Sequence, residues 1–395
     1  MAEKREVVIV SAVRTAIGTF GGTLKDFSSS QLGTVAVKEA IARAKIDVAQ
    51  IGHLVCGNVI HGEARDMYVS RAIALDAGMV KESSALTLNR LCGSGLQAIV
   101  TAANAIQLGD TDAAIGCGVE TMSRSGYLAP AMRFGARMGE TKMIDMMIGA
   151  LTDPFSPNHM GITAENVAAQ FGISRDDQDK FALESQRRAA AAIDAGHFKS
   201  QIVPVEIQTR KGTTLFDTDE HPKRDTTMES LGKLRAAFKK DGTVTAGNAS
   251  GINDGAAAVV LMEATAAAKA GAKPLARLVS YAVAGVEPSI MGTGPIPAVR
   301  LALKRAGLQA ADMDVIESNE AFAAQACSVN KELGLDTAKV NPNGGAVALG
   351  HPLGATGAIL TVKCLYELAR TNKRYGLVTM CIGGGQGIAA IFERI

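Results

Sequence analysis

The chain has 395 residues, 47% of them hydrophobic, and a formal net charge of +2 at pH 7. That length exceeds the roughly 250–300 residues at which one core stops growing, so two or three structural units are expected. Near-neutral charge argues against a general nucleic-acid binder, no apolar run approaches the roughly 18–20 residues that span a bilayer, and six cysteines without a CxxC pair argue against a disulfide scaffold or a zinc site.

Met1 to Arg5 is short and charged and runs straight into Val7-Val8-Ile9-Val10. That run reads as a first strand, not as the longer apolar core of a secretion signal. The C-terminal Phe392-Glu393-Arg394-Ile395 is neither a peroxisomal tripeptide nor a prenylation box, so a cytoplasmic enzyme is expected. Helical periodicity covers 33–44, flanked by short β-branched runs. Cys92 then follows an apolar stretch and precedes a Gly-Ser-Gly helix start, with 94–108 an Ala-rich helix suited to burial nearly all round. Free N–H groups and the dipole at a helix N-terminus stabilise a thiolate, which makes Cys92 a candidate nucleophile. Cysteine is otherwise a buried and inert residue, and Cys56, Cys117, Cys327 and Cys364 take that plainer reading.

Residues 121–250 match nothing later in the chain. They begin with a mix of Met132, Arg133, Arg137, Met138, Met143, Met146 and Met147 that suits an interface or a ligand-covering arm. A helical stretch from Asp176 to Ala195 and a polar segment from Asp217 to Arg235 follow. Beyond them the chain repeats itself. Leu275–Val283 resembles Val7–Val13, 302–308 resembles 40–46, Val315–Asn319 falls on Leu54–Asn58, and Ala358–Thr361 falls on Ala98–Thr101. The order is kept, and the period is far too long for a solenoid. Two homologous α/β halves are expected, each running strand, helix, strand, helix, strand, with mixed or parallel sheets covered on both faces. The divisions would be 1–120 (continuing at about 251–272) for the first half, 121–250 for the insert and 273–395 for the second half.

The second half carries the remaining chemistry. Asn319-Glu320-Ala321-Phe322 follows a strand-like run; Asn319 suits an oxyanion and Glu320 a neighbour to orient, although Asn after a strand is more often a turn residue. His351 sits in Asn341–Gly357, a glycine-rich and nearly uncharged stretch of the kind used where something approaches backbone closely. A neutral imidazole there can take a proton from a thiol and return it. His53, His61, His197 and His221 lack that setting and read as structural. Cys381 ends a strand-like run and opens Gly383-Gly384-Gly385, whose successive N–H groups form an anion nest. A phosphate loop is the weaker alternative there, because no Lys-Ser/Thr follows. Two cysteines and a histidine, each set in glycine, suggest thiol chemistry on a small acyl group.

Together Asn89-Arg90-Leu91-Cys92-Gly93-Ser94-Gly95, Asn319-Glu320-Ala321-Phe322, Gly350-His351-Pro352 and Cys381-Ile382-Gly383-Gly384-Gly385 resemble the signatures of the thiolase family, in family order and over essentially the whole chain. His159-Met160-Gly161 and Thr245–Gly251 in the insert add to the likeness, which points to the biosynthetic short-chain branch: acetyl-CoA acetyltransferases and the related bacterial β-ketothiolases. The resemblance implies an α/β fold, a five-layered αβαβα core with an inserted loop domain, and a homotetramer built as a dimer of dimers. It implies reversible condensation of two acetyl-CoA by covalent ping-pong catalysis. Cys92 would be acylated, His351 would activate it, and Cys381 would remove the α-proton of the second acetyl-CoA. His351 and a water held by Asn319 would face the enolate oxygen; the N–H groups of Cys92 and Gly383 would face the tetrahedral intermediate. Ser250 would hydrogen-bond the pantetheine, and Lys223 would lie near the nucleotide. Leu151, His159, Met160, Phe238, Ala246, Met291, Ala321 and Phe322 would line the tunnel and acyl pocket. No metal or resident cofactor is implied, only coenzyme A as the carrier of substrate and product, with no nucleic-acid or membrane partner.

The sequence departs from the family pattern at a few positions. Lys223 stands where many relatives have Arg, with Arg224 beside it; Cys117 and Val119 replace a Gly and a Met or Ala in the strand leading to Glu120, and Ser318 replaces Ala before Asn319. None removes a catalytic group. A degradative 3-ketoacyl-CoA thiolase of broader chain length is the alternative. A ketosynthase-like enzyme is disfavoured by Cys381 and its glycines, and a non-enzymatic binding protein by the four intact motifs.

Overall fold

The computed structural model describes residues 5–395; the first four positions of the charged N-terminal stretch lie outside the described residues. The first half supplies β1 (Val7–Thr15), α1 (Ser29–Ala44), β2 (Ile51–Gly57), α2 (Val69–Asp76), β3 (Ser84–Leu88), α3 (Ser94–Leu108) and β4 (Ala113–Thr121). After a long excursion containing α4 (Met160–Phe171) and α5 (Arg175–Asp194), the chain returns as β5 (Asn253–Glu263). The second half follows as β6 (Ala276–Gly285), α6 (Pro295–Ala306), β7 (Val315–Ser318), α7 (Ala323–Leu333), α8 (Leu353–Thr371), β8 (Tyr375–Ile382) and β9 (Gln386–Arg394).

The strands lie in the order β7-β8-β9-β6-β1-β5-β4-β2-β3. In the first half β1, β5 and β4 pair antiparallel and β4, β2 and β3 parallel; in the second, β6, β9 and β8 pair antiparallel and β8 and β7 parallel. The internal repeat is thus a repeat of topology. Val340 bridges Ile316 in parallel where the first half has β3 beside β2. Among the described residues the halves meet edge to edge at Val8–Arg277 and Ile9–Ala276. Helix α1 covers one face of the first half and α3 the other, α8 packs beside α3 and against strands of both halves, and α6 covers β6 and β9. Five layers result, with α3 and α8 in the middle.

Burial on both faces explains the sequence of the strands. All nine residues of β1 are buried, as are all nine of β4, so both read as predominantly apolar runs without alternation until Arg14-Thr15 and Glu120-Thr121 at their ends. The central helices touch through small residues. A Cβ on Gly95 of α3 would stand 2.7 Å from the backbone nitrogen of Ala358 on α8, so a larger residue would force them apart.

The excursion from Thr121 to Asn253 is docked rather than loose. Ile202–Val203 pairs parallel with the end of β1, α5 packs on α7, and Val205–Thr209 with Gly212–Phe216 forms a hairpin. Among the described residues no helix is long and apolar enough to cross a membrane.

Candidate active site

Loops at corresponding places in the two halves carry the two leading candidates. Cys92 lies two residues before α3, and His351 two residues before α8. Both therefore reach the seam between the central helices, one from each half.

The loop of His351 is fixed by buried polar groups. Its backbone N–H donates to Asn253 Oδ1 at 2.9 Å, and Asn253 Nδ2 donates to the Gly18 carbonyl at 3.0 Å. Gly350, just before it, has φ +105°, a conformation that glycine alone adopts without strain. Upstream, the Glu320 carboxylate accepts from Asn341 Nδ2 (2.8 Å), Ser185 Oγ (2.6 Å) and the Val347 N–H (3.1 Å). Lys363, buried on α8, donates to Glu317 and to the Gly344 carbonyl, each at 2.7 Å. Burial pushes the Glu317 carboxyl up to about 7, and Lys363 opposes that rise. Glu320 therefore does hold its neighbours, as its position after β7 suggested.

The imidazole itself has a defined tautomer. Thr356 Oγ1 donates to the Pro352 carbonyl at 2.9 Å, which leaves it to accept from His351 Nδ1 at 2.6 Å. The other nitrogen, Nε2, is left as the acceptor and takes a 3.3 Å contact from Asn319 Nδ2. Burial lowers the His351 pKa to about 4, so the ring is a neutral base at pH 7. Asn319 is fully buried, and its Oδ1 has no partner among the described residues. It is a polar group with a reason to meet a ligand and not a simple turn residue.

Cys92 keeps a patch of surface on a cavity, while protein surrounds it on every other side. The enclosure governs its charge. Burial pushes the thiol up to about 11, and the N–H groups of Gly383 and of Cys92 itself pull against that rise. The expected helix-start stabilisation of a thiolate is therefore overturned: the two N–H donors are there, but desolvation outweighs them. Cys381 is wholly buried on β8, and burial together with the nearby Cys92 raises its pKa well above that of an ordinary thiol. Gly384 and Gly385, at φ +81° and +84°, make the turn that leaves Gly383 facing Cys92.

Two adjoining cavities lead to this group. One of about 670 Å³ is lined by Lys223, Leu151, His159, Phe238, Ala246, Ser250, Phe322 and His351, among others. The other, only about 50 Å³, is lined by Cys92, Gly383, His351, Leu151, Met160, Ser250, Met291, Ala321 and Phe322, with Leu91, Ala150 and Leu353. Every cavity residue expected from the sequence lines one or the other, and Asn319 and Cys381 lie behind the walls. His159 is no core histidine: half-buried, it stacks on Phe238 at 4.7 Å and its Nδ1 accepts the Gly161 N–H at 3.0 Å. At the mouth Arg224 pairs with Asp194 at 2.8 Å, and Lys223 is the cation that faces the cavity.

One structural assignment is corrected. His221 lines the larger cavity against Gly251, and burial and Lys223 lower its pKa to about 4. Nothing in the sequence around it marked it, because its place depends on how the excursion folds back over the Thr19–Phe20 turn. The plain reading of Cys56, Cys117 and Cys364 stands; all three are fully buried.

A half-repeated αβαβα core with a buried thiol, an enclosed neutral imidazole and a second thiol at one seam defines a class of acyl-transfer fold. The chain belongs to the thiolase family: the model of the thiolase N-terminal domain matches residues 7–265 and that of the C-terminal domain 272–394. It is 64% identical over 392 residues to beta-ketothiolase BktB of Cupriavidus necator, covering 99% of this chain and 100% of the relative. Acetyl-CoA acetyltransferase of Escherichia coli is 51% identical over 393 residues, with 99% and 100% covered. Among solved structures, human mitochondrial 3-ketoacyl-CoA thiolase superposes with a TM-score of 0.97 at 45% identity, and Bacillus anthracis acetyl-CoA acetyltransferase with 0.98 at 44%, each covering 100% of both chains.

Proposed function

We propose that this chain is an acyl-CoA C-acetyltransferase, condensing two acetyl-CoA reversibly to acetoacetyl-CoA and CoA and also accepting propionyl-CoA. The observation that carries the reading is a neutral imidazole and two N–H donors converging beside Cys92, where a large channel narrows to a pocket of about 50 Å³. Coenzyme A enters as substrate carrier, its thioester end at Cys92 and its phosphates toward Lys223, with Ser250 beside the pantetheine. Cys92 Sγ attacks the acetyl carbonyl as its proton passes to His351 Nε2. The tetrahedral oxyanion forms against the N–H groups of Cys92 and Gly383, each such donor lowering the barrier by roughly 3–4 kcal/mol. CoA leaves with a proton given by Cys381, whose thiolate remains, while His351 Nε2 keeps the proton it took from Cys92.

In the second half-reaction the Cys381 thiolate formed on release of CoA removes the α-proton of another acetyl-CoA. Its raised pKa suits the task, because a more basic thiolate lies closer to a weak carbon acid. The enolate oxygen lies by His351 and a water held on Asn319, and the carbanion attacks the acetyl group on Cys92. As the carbon–sulfur bond to Cys92 breaks, His351 Nε2 returns its proton to that sulfur, and acetoacetyl-CoA leaves both cysteines as thiols.

The test is thiolysis of acetoacetyl-CoA, 3-ketovaleryl-CoA and 3-ketooctanoyl-CoA by free CoA. A pocket with room for only a few heavy atoms should favour the first two by at least about tenfold in kcat/KM, since one methylene is worth ~1–3 kcal/mol. Comparable turnover of the eight-carbon substrate would move the reading to a degradative thiolase of broader chain length.

The same reading includes a cytoplasmic homotetramer and the divisions 1–120 with 251–272, 121–250 and 273–395. Support for assembly comes from the arm after β4, where Phe134 is 87% and Met138 96% exposed beside Met132 and Met143. Such a surface is unusual on a free monomer. Tyr127–Leu128 and Ile144–Asp145 pair antiparallel at its base, so residues 129–143 can be excised and the strands joined by a short turn. Light scattering should then report a dimer in place of a tetramer; an unchanged tetramer would refute the role of the arm.

A further inference from the structure

Glu120, at the end of β4, is fully buried, and all its hydrogen-bond partners are N–H donors. Oε1 accepts from Asn58 Nδ2 at 3.1 Å and the Ile60 N–H at 3.0 Å; Oε2 accepts from the Val59 N–H at 3.1 Å and the Gly354 N–H at 2.7 Å. Burial raises the pKa of this carboxyl, and the N–H groups of Ile60, Gly354 and Val59 oppose the rise by favouring the ionised form. Four donors and no acceptor leave an acid proton nowhere to go, so the cradle fits the carboxylate.

One of those donors belongs to the other half. Gly354 is the second residue of α8, whose N-cap is Pro352 and offers no side-chain cap. Ala355 and Thr356 turn their N–H groups back to the Pro352 carbonyl, each at 2.9 Å. Glu120 supplies the remaining cap and sets a negative charge against the positive end of the helix. Thr356, in that first turn, accepts the His351 Nδ1–H. A continuous path therefore runs from Glu120 through Gly354 and Thr356 to the imidazole.

The repeat sets Glu120 at the counterpart of Cys381. Glu120 lies opposite Gly255 near the end of β4, as Cys381 lies opposite Gly387 near the end of β8. Asn58 corresponds in the same way to Asn319. We propose that Glu120 is a positioning residue for His351: a buried carboxylate of the first half that caps α8 of the second and so fixes the ring whose Nε2 takes the Cys92 proton. The inference rests on the acyl-transfer mechanism proposed above.

Glu120→Gln turns an NH₂ group against two N–H donors while keeping the volume. The expected result is a fall in kcat for acetoacetyl-CoA thiolysis of about 10²-fold, the scale of a small misplacement of a catalytic group. KM for CoA should stay within about twofold, because Glu120 does not line the channel. Added to His351→Asn, Glu120→Gln should cost almost nothing further, since both act through one ring. A general structural role would instead lower activity in the double variant by the full factor again. Gly354→Ala attacks the same contact from the other side, with a Cβ 2.8 Å from Glu120 Oε2 and 3.0 Å from Asn58 Cα. It should reproduce the kinetic pattern, and it decides the matter if Glu120→Gln does not fold. Undiminished kcat in a folded variant, or full additivity with His351→Asn, would overturn the proposal while leaving the thiolase reading intact. A wild-type protein without turnover would overturn both.

Discussion

Cys92→Ser should lower thiolysis of acetoacetyl-CoA by at least about 10³-fold, the scale seen when a catalytic nucleophile is lost. Two effects act together. A serine hydroxyl is far less acidic than a thiol, and His351, held near a pKa of about 4, is too weak a base to deprotonate it alone. Any acetyl group that did reach the oxygen would also sit in a well, because an oxygen ester is more stable than the thioesters on either side of the reaction. Sulfur avoids this: exchange between CoA and Cys92 is nearly neutral in energy, so the covalent intermediate forms readily without becoming a trap. CoA binding measured by calorimetry should be unchanged, since the channel lining does not depend on that atom. A Ser variant retaining more than a tenth of wild-type kcat would mean that the acyl group does not pass through residue 92.

The charge states at this site distinguish it from a preformed thiolate–imidazolium pair. With the thiol raised to about 11 and the imidazole lowered to about 4, both are neutral at rest. The proton moves only as the carbon–sulfur bond forms. Burial is the physical cause in both cases, and it is a property of the closed seam between α3 and α8, not of either local sequence.

That contrast marks what could be read from the chain. Glycine around Cys92, His351 and Cys381 was visible because close backbone approach leaves a compositional trace. The half-repeat was visible because the two halves still align at Leu54–Asn58 and Val315–Asn319, and it foretold two homologous α/β halves, though not the order of their strands. The direction of the Cys92 pKa shift was not legible, because a helix start pulls one way and enclosure by a distant half pulls harder the other. Glu120 and His221 were hidden for a related reason. Glu120 matters through Gly354, and His221 through Gly251, contacts between segments far apart in sequence. Their own neighbours in the chain carry no mark of them.

The largest effect on stability is expected from Asp219→Ala. Asp219 and Arg14 are both without solvent exposure and bind by two contacts of 2.7 and 2.9 Å; Asp219 also accepts the Ile17 N–H at 2.9 Å. Arg14 is further held by Gln201 Oε1 at 2.8 Å and lies over the Phe198 ring. Removing the carboxylate leaves a guanidinium buried beside the end of β1 without its counter-charge, which costs about 3–5 kcal/mol. At ~2.1 cal/mol/K per residue, that corresponds to a fall of about 4–6 °C in melting temperature for a chain of this length. Thermal denaturation would show it. The loss should be felt at the mouth of the channel as well, because Glu220, which ties down Thr19 and Thr23, and His221 and Lys223 follow Asp219 directly. KM for CoA should therefore rise while the chemistry at Cys92 persists. Replacing both partners with apolar residues, Arg14→Met with Asp219→Leu, should recover most of the melting temperature, since the penalty comes from an unpaired charge rather than from the loss of a strong attraction. A double variant as unstable as Asp219→Ala would show instead that the guanidinium's other contacts, to Gln201 and Phe198, are what hold the excursion against the core.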